Sequence, residues 1–297
     1  MKHATEIITD IVLDFDGTCT QIPGVYDNYL EEYRRIFNET VEPLSTDEWK
    51  TVQQQVYNNS PKGGWMISGW PTAPAASDPY ILAYESANLF LTERKSKNLL
   101  PPYIHQLAYT ANPAPWRGDA LDTLIKLIEK NIGIHFISNS STKKITARLE
   151  QLFGAGNPYL KKIKVESGAA KFRICEIPWE KQGIIPAVIK ADFDRLPGIF
   201  SNPLLYDLER PVYLRRGAYF GAIYNVFKTH WSELASTVFC GDIWEMDLAM
   251  PYALGAKVHL LERAAPFNTY DYERQAVSTY GDRAKISTDL SALLSWI

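Results

Sequence analysis

The sequence carries almost no surplus of charge: 31 Lys and Arg against 34 Asp and Glu leave a formal net charge of -3. That balance supplies no general attraction for nucleic acid or for an anionic membrane, so neither is expected as a partner. Cysteine is scarce. Cys19, Cys175 and Cys240 form an odd set, far apart and without CxxC spacing, which argues against a disulfide framework and a zinc site and fits a reducing cytoplasm. His105, His135, His230 and His259 show no metal-binding spacing either. No uninterrupted apolar run approaches the ~20 residues of a membrane helix. The first six residues lead toward a strand without the apolar stretch and small-residue cleavage site of a signal peptide. Internal repeats and low-complexity tracts are also missing. What remains is an ordinary hydrophobic fraction of 46% over 297 residues, ample for a folded core, and the expectation of a soluble cytoplasmic protein.

The informative stretch is Ile11-Val12-Leu13-Asp14-Phe15-Asp16-Gly17-Thr18. Three apolar residues, two of them β-branched, read as the end of a buried strand that then breaks into two carboxylates, a glycine and a threonine. Burying one carboxylate costs several kcal/mol unless it is paired or metal-bound, and two such groups repel in a dry site. A divalent cation resolves that conflict.

Residues 22 to 112 then change character. Tyr29, Leu30, Tyr33, Ile36 and Phe37 fall at helical spacing, Thr46-Asp47-Glu48-Trp49 opens a second helix, and Asp78-Pro79 opens a third. Between them lies a stretch from 60 to 79 dense in Pro, Gly and Trp, expected as a loop. The block reads as a helical insert beside the main domain. From residue 113 strands and helices alternate: Ile134–Ile137 ends in Ser138-Asn139-Ser140-Ser141, Val238-Phe239-Cys240-Gly241 ends in Asp242, and Val258–Leu261 is a further core strand. Residues 155 to 211 interrupt the pattern as a second insertion. Lys171-Phe172-Arg173-Ile174 is a candidate strand within it.

Alternation of this kind predicts an α/β fold with a parallel sheet, whose ligands bind at the carboxyl ends of the strands. Asp14 and Asp16, Ser138 and Asn139, and Asp242 with Asp247 then converge on one edge. So much negative charge requires a hard cation, and Mg²⁺ suits oxygen ligands while keeping room for water and a substrate phosphate. Arg215 and Arg216 are the expected cationic counterpart, gripping phosphate or pairing with the acids.

Asp14-Phe15-Asp16-Gly17-Thr18, Ser138 after an apolar strand, a basic residue before a helix, and Gly241-Asp242 followed by Asp247 together resemble the four motifs of the haloacid dehalogenase (HAD) superfamily. The resemblance covers roughly residues 7 to 20, 116 to 153 and 211 to 262. It implies a Rossmann-like parallel-sheet core, over 1–21 and 113–297, with residues 22–112 as a helical cap of the C1 type. It implies further that Asp14 is a nucleophile forming an aspartyl-phosphate, and that Asp16 protonates the leaving alcohol and later deprotonates water, its backbone carbonyl helping to hold the metal. Ser138 would bind the transferring phosphoryl oxygens, with Asn139, Arg215 and Arg216 completing the phosphate site, and Asp242 and Asp247 would ligate Mg²⁺. An acid at the position of Asp16 favours phosphate chemistry over dehalogenation, since a departing halide needs no proton.

One motif departs from the pattern. The family's third motif normally supplies lysine, and here the matching place reads Arg215-Arg216-Gly217. Arg216 is the better positional match and Arg215 the alternative; Lys171 can reach in from the insertion, whereas Lys228 sits at a helix end. The expected function is Mg²⁺-dependent hydrolysis of a small phosphorylated metabolite. A HAD-like binding or regulatory module, or a phosphotransferase or phosphomutase, is the alternative. Trp65 and Trp70 either touch the substrate or pack the cap on itself.

Overall fold

A computed structural model describes residues 7–177, 208–228 and 230–297. The amino-terminal residues 1–6 and most of the expected 155–211 insertion, namely 178–207, lie outside the described residues. Among the described residues the centre is a six-stranded sheet in the order β5-β4-β1-β6-β7-β8. Its strands are β1 (Asp10–Leu13), β4 (Gly133–Ile137), β5 (Ile163–Glu166), β6 (Thr237–Gly241), β7 (Lys257–Leu261) and β8 (Ala284–Ser287). Every pairing is parallel.

The short apolar strands are what a sheet covered on both faces requires. Alternate side chains feed opposite layers. Val12, Ile137, Phe239, Val258 and Leu260 join one apolar cluster, with Tyr219, Phe220, Ile223 and Phe227 of α7 (Gly217–Phe227). Ile11, Leu13, Ile134, Phe136, Val238 and Cys240 join the other. That second face is covered by Leu124, Leu127 and Ile128 of α5 (Ala120–Glu129) and by Ile145, Leu149 and Phe153 of α6 (Thr142–Phe153).

The register decides where the polar ends fall. Leu13 sits beside Phe136 on one side and beside Cys240 on the other. The residues that follow β1, β4 and β6 therefore leave the sheet side by side.

Between β1 and α5 the chain builds a helical layer from α1 (Tyr26–Thr40), α2 (Thr46–Asn59), α3 (Pro79–Glu93) and α4 (Tyr103–Ala111). Its apolar cluster includes Tyr29, Tyr33, Phe37, Trp49, Leu82, Phe90 and Ile104. The second helix is capped by Ser45, its hydroxyl accepting from the Glu48 backbone while the Glu48 carboxylate accepts from the Ser45 backbone. The chain leaves and re-enters the core side by side. Thr20 bridges Trp116 in antiparallel fashion, the Gln21 amide donates to the Pro115 carbonyl at 2.8 Å, and the Arg117 amide donates to the Cys19 carbonyl at 2.9 Å.

Two local expectations need correcting. The stretch from 60 to 79 is not all loop: β2 (Gly64–Ile67) and β3 (Trp70–Pro74) pair as an antiparallel hairpin. Ser68 and Gly69 at its tip have φ of 52° and 83°, the left-handed pair that matches hairpin twist. Nor is Lys171–Ile174 a strand. It is a turn and an irregular stretch that follows β5, whose short alternating sequence gave no sign against its polar surroundings.

Candidate active site

Asp14 emerges directly from β1, its backbone amide bonded to the Cys240 carbonyl at 3.0 Å. Asp242 follows β6, and Asp247 closes the short helix α8 (Trp244–Asp247). Oxygen atoms of Asp14, Asp242 and Asp247 all lie within 4.8 Å of one another, and all three residues belong to one buried acidic cluster. The backbone is shaped around it. A Cβ on Gly17, whose φ is +85°, would come within 2.5 Å of Asp242 Oδ2, and one on Gly241 within 2.2 Å of the Asp247 Cβ. Only glycine leaves room for the acids to converge.

The cation in this cluster is Lys171. Its ammonium is 2.7 Å from Asp14 Oδ1 and 2.9 Å from Asp247 Oδ1, and the residue is 1% exposed. Burial opposes the ammonium, but Asp14 and Asp247 beside it hold it charged, above the ordinary lysine value. Asn139 Oδ1 accepts from the Lys171 backbone amide at 2.8 Å, so this side chain braces the lysine-bearing turn. Burial raises the Asp14 carboxyl against the pull of Lys171, and raises the Asp242 carboxyl, with Asp247 adding to it.

The donor set fits Mg²⁺. Asp242 Oδ1 accepts from the Thr18 hydroxyl at 3.1 Å, whereas Asp242 Oδ2 is buried without a hydrogen-bond partner. An orphaned carboxylate oxygen among three clustered acids is what a hard cation would satisfy.

Asp16 turns a different way. Its carboxylate accepts from the Tyr109 hydroxyl of α4 at 2.6 Å and from the Ser140 hydroxyl at 2.6 Å, with the Lys144 ammonium at 3.4 Å. Burial brings Lys144 down to about 8, against the pull of Asp16. Ser138 is buried at the end of β4, and its hydroxyl accepts from the Ser140 amide at 3.2 Å.

The arginines expected to grip phosphate are elsewhere. Arg215 points outward and pairs with Glu176 at 2.9 Å. Arg216 is fully buried, but its guanidinium donates to the carbonyls of Lys171, of Thr72 at 2.7 Å and of Tyr213 at 3.2 Å. The reason is local: Gly217 opens α7 with the chain held against Cys175, its amide bonded to the Cys175 carbonyl at 3.2 Å. A Cβ at Gly217 would strike the Glu176 carbonyl at 2.1 Å. This packing sends the Arg216 side chain between the hairpin and the Lys171 turn. Arg215→Ala is accordingly expected to keep turnover within about twofold of the parent, as for a surface ion pair. Arg216→Ala, which orphans three carbonyls, should cost about 3 kcal/mol or more in a denaturant titration. Equal stability of the two variants would contradict this placement.

The helical layer sits on the site through further polar contacts. Arg210 pairs with Glu245, both buried, and donates to the Pro61 carbonyl at 2.9 Å. Tyr270 meets Ser60 hydroxyl to hydroxyl at 2.7 Å. The Trp65 ring lies tilted against Phe172 with centroids 5.2 Å apart, and Trp70 packs edge to face with Tyr213 at 5.1 Å. Beside Asp242 a cavity of about 360 Å³ opens, lined among others by Gly17, Asp78, Arg117, Asp242, Arg263 and Phe267. Among the described residues no helix is long and apolar enough to cross a membrane.

Tyr109 and Lys144 were not singled out from the sequence, and Thr18 and Ser140 were named there as members of motifs without a role of their own. Lys144 and Ser140 carry a faint signal, since they follow Ser138 at the start of a helix that must open at the sheet edge. Tyr109 carries none, being separated from Asp16 by the whole helical layer.

No protein-family model matches the chain, and no curated protein sequence matches it. Solved structures do. A predicted phosphoglycolate phosphatase from Haemophilus somnus 129PT superposes with a TM-score of 0.50 at 13% identity, over 97% of this chain and 97% of the other. A provisionally assigned β-phosphoglucomutase from Thermotoga maritima gives a TM-score of 0.50 at 10% identity, over 98% of this chain and 100% of the other. At such identities the likeness is one of architecture, and with the sheet order and the strand-end acids it leads to one conclusion: the chain has the fold of the HAD superfamily.

Proposed function

We propose that the protein is a Mg²⁺-dependent hydrolase of small phosphomonoesters, with residues 1–21 and 113–297 as the core, 22–112 as a cap, and a cytoplasmic phosphorylated metabolite as substrate. The observation that supports this most is the buried Asp14–Lys171–Asp247 array next to the orphaned Asp242 Oδ2. In this reading Asp14 is the carboxylate nucleophile, Lys171 the fixed cation, and Asp14, Asp242 and Asp247 the ligands of a hard cation, drawn from several segments to one edge of the sheet.

In this reading an Asp14 oxygen attacks phosphorus and the bond to the leaving oxygen breaks, its electron pair leaving with that oxygen. Asp16 supplies the proton that neutralises it. An aspartyl-phosphate results, so that one difficult displacement becomes two easier ones. Asp16, now a base, takes a proton from water. The water oxygen attacks phosphorus, releasing phosphate and restoring Asp14. Ser138 and the Lys171 ammonium steady the negative charge on the phosphoryl oxygens. Asp14, Asp242 and Asp247 would hold Mg²⁺, which when bound neutralises charge on the transferring group.

Lys171 beside Asp14 supports the enzyme reading over that of a binding module without the catalytic cation. The test is phosphate release from p-nitrophenyl phosphate and a panel of metabolite phosphates. Turnover should depend on Mg²⁺, fall to background in EDTA and return when Mg²⁺ is restored. Turnover unchanged by EDTA, or none with any ester, would overturn the proposal.

A further inference from the structure

Both oxygens of the Asp16 carboxylate are occupied, and by groups from different layers. Ser140 and Lys144 belong to the core loop and helix after β4, with the Lys144 ammonium also 2.9 Å from Ser140 Oγ. Tyr109 comes from α4, the last helix of the layer above, and its hydroxyl reaches Oδ1 at 2.6 Å. The tyrosine is itself held. Its ring packs against Tyr80 and His105, with centroids 5.3 and 5.6 Å away, and the Lys144 ammonium lies 3.0 Å from its centroid. An acid at the end of a strand needs one rotamer to face a leaving oxygen, and a freely rotating carboxyl spends much of its time in others. Here the rotamer is fixed from two sides.

We infer that Tyr109 is a positioning residue for the reaction, a hydroxyl carried by the helical layer that holds Asp16 in line to protonate the leaving group. Proton delivery to basic leaving groups therefore depends on α4 being seated. Acidic leaving groups, which depart without a proton, escape this control in the first step alone; hydrolysis of the aspartyl-phosphate, in which Asp16 takes a proton from water, is common to all esters. The inference rests on the reading of Asp16 as the general acid.

The experiment is a leaving-group series, p-nitrophenyl, phenyl and glycerol phosphate, assayed at saturating Mg²⁺ with Tyr109→Phe, Asp16→Asn and the double variant. For Tyr109→Phe, kcat/KM, which covers the steps up to departure of the leaving group, should stay within about twofold for the nitrophenyl ester and fall about tenfold or more for glycerol phosphate, a share of the 10²–10⁴ that general acid catalysis supplies. The double variant should be no slower than Asp16→Asn alone, because a holder of an absent acid has nothing to hold. A loss of kcat/KM of equal size across the series, no loss at all, or additive losses in the double variant would overturn the role of Tyr109. If Asp16→Asn itself spares glycerol phosphate, the reading of Asp16 has failed instead, and the inference falls with it. Tyr109→Phe keeps the packed ring, and a melting curve verifies its fold. Ser140→Ala, which frees the other oxygen from the core side, should show the same leaving-group trend, and a uniform loss there would count against fixing from two sides.

Discussion

Asp14→Asn is expected to lower turnover of every accepted phosphomonoester by a factor on the order of 10⁴ or more while leaving the fold intact. The substitution keeps the volume of the side chain but removes the charge and the electron pair that attack phosphorus. No neighbour replaces it. Asp242 accepts from Thr18 through one oxygen and would hold Mg²⁺ through the other, Asp247 accepts from the Ile243 amide at 3.0 Å, and Asp16 faces Tyr109 and Ser140. Lys171 retains Asp247 at 2.9 Å, so the buried ammonium keeps a counter-ion and the melting temperature should move by only a few degrees, roughly the effect of about 1 kcal/mol. Acid-quenched parent protein should carry a phosphoryl group on the peptide containing Asp14, and the variant none. Residual turnover within a hundredfold of the parent, or the adduct on another peptide, would remove Asp14 from the nucleophile's role.

Lys171→Met tests the opposite charge. Without the ammonium, Asp14 and Asp247 become neighbouring buried carboxylates with no cation between them. Breaking a buried ion pair from one side costs about 3–5 kcal/mol, and that loss should be read in EDTA, where no metal compensates. At saturating Mg²⁺ the fold should recover, yet kcat should remain about 10² to 10³ below the parent, because a fixed positive group facing the developing phosphoryl charge is gone. Lys171→Arg should rescue little. The site is closed around a point charge, and a planar guanidinium is wider and aims its donors differently. Turnover of the methionine variant within tenfold of the parent would show that the essential cation lies elsewhere.

These two residues also mark how far sequence reasoning reached. Asp14, Asp16, Ser138 and Asp242 were legible because each stands at or just past the stop of an apolar strand, and a parallel sheet forces such stops onto one edge; Asp247, on the helix after β6, was legible from its spacing to Asp242. The choice of cation was not legible by the same rule. Arg216 precedes a helix, which is the expected position, but the close approach of Gly217 to the Glu176 carbonyl turns its side chain toward the Thr72 and Lys171 carbonyls. Lys171 stands on a turn after β5, a four-residue strand too short and too mixed to stand out from a segment broken by prolines. The hairpin was hidden for a related reason. Proline, glycine and tryptophan crowd it, and the Ser68-Gly69 tip that gives it away outweighs composition only once the φ values are known. Tyr109 could not have been found locally, since its meaning depends on helix packing between segments distant in the chain.

The paired crossing at Thr20 and Trp116 has a consequence for how the chain accommodates its own length. The entropy of closing a loop grows only with the logarithm of the number of residues it contains, so once two ends are held together, lengthening what lies between them costs little. Here the ends are held by backbone hydrogen bonds of Gln21 to Pro115 and of Arg117 to Cys19, independent of any side chain in the excursion. The sheet thus sees a short, closed bridge after β1, whatever hangs from it. Variation in size can collect there without disturbing the register that brings Asp14, Ser138 and Asp242 to a common edge.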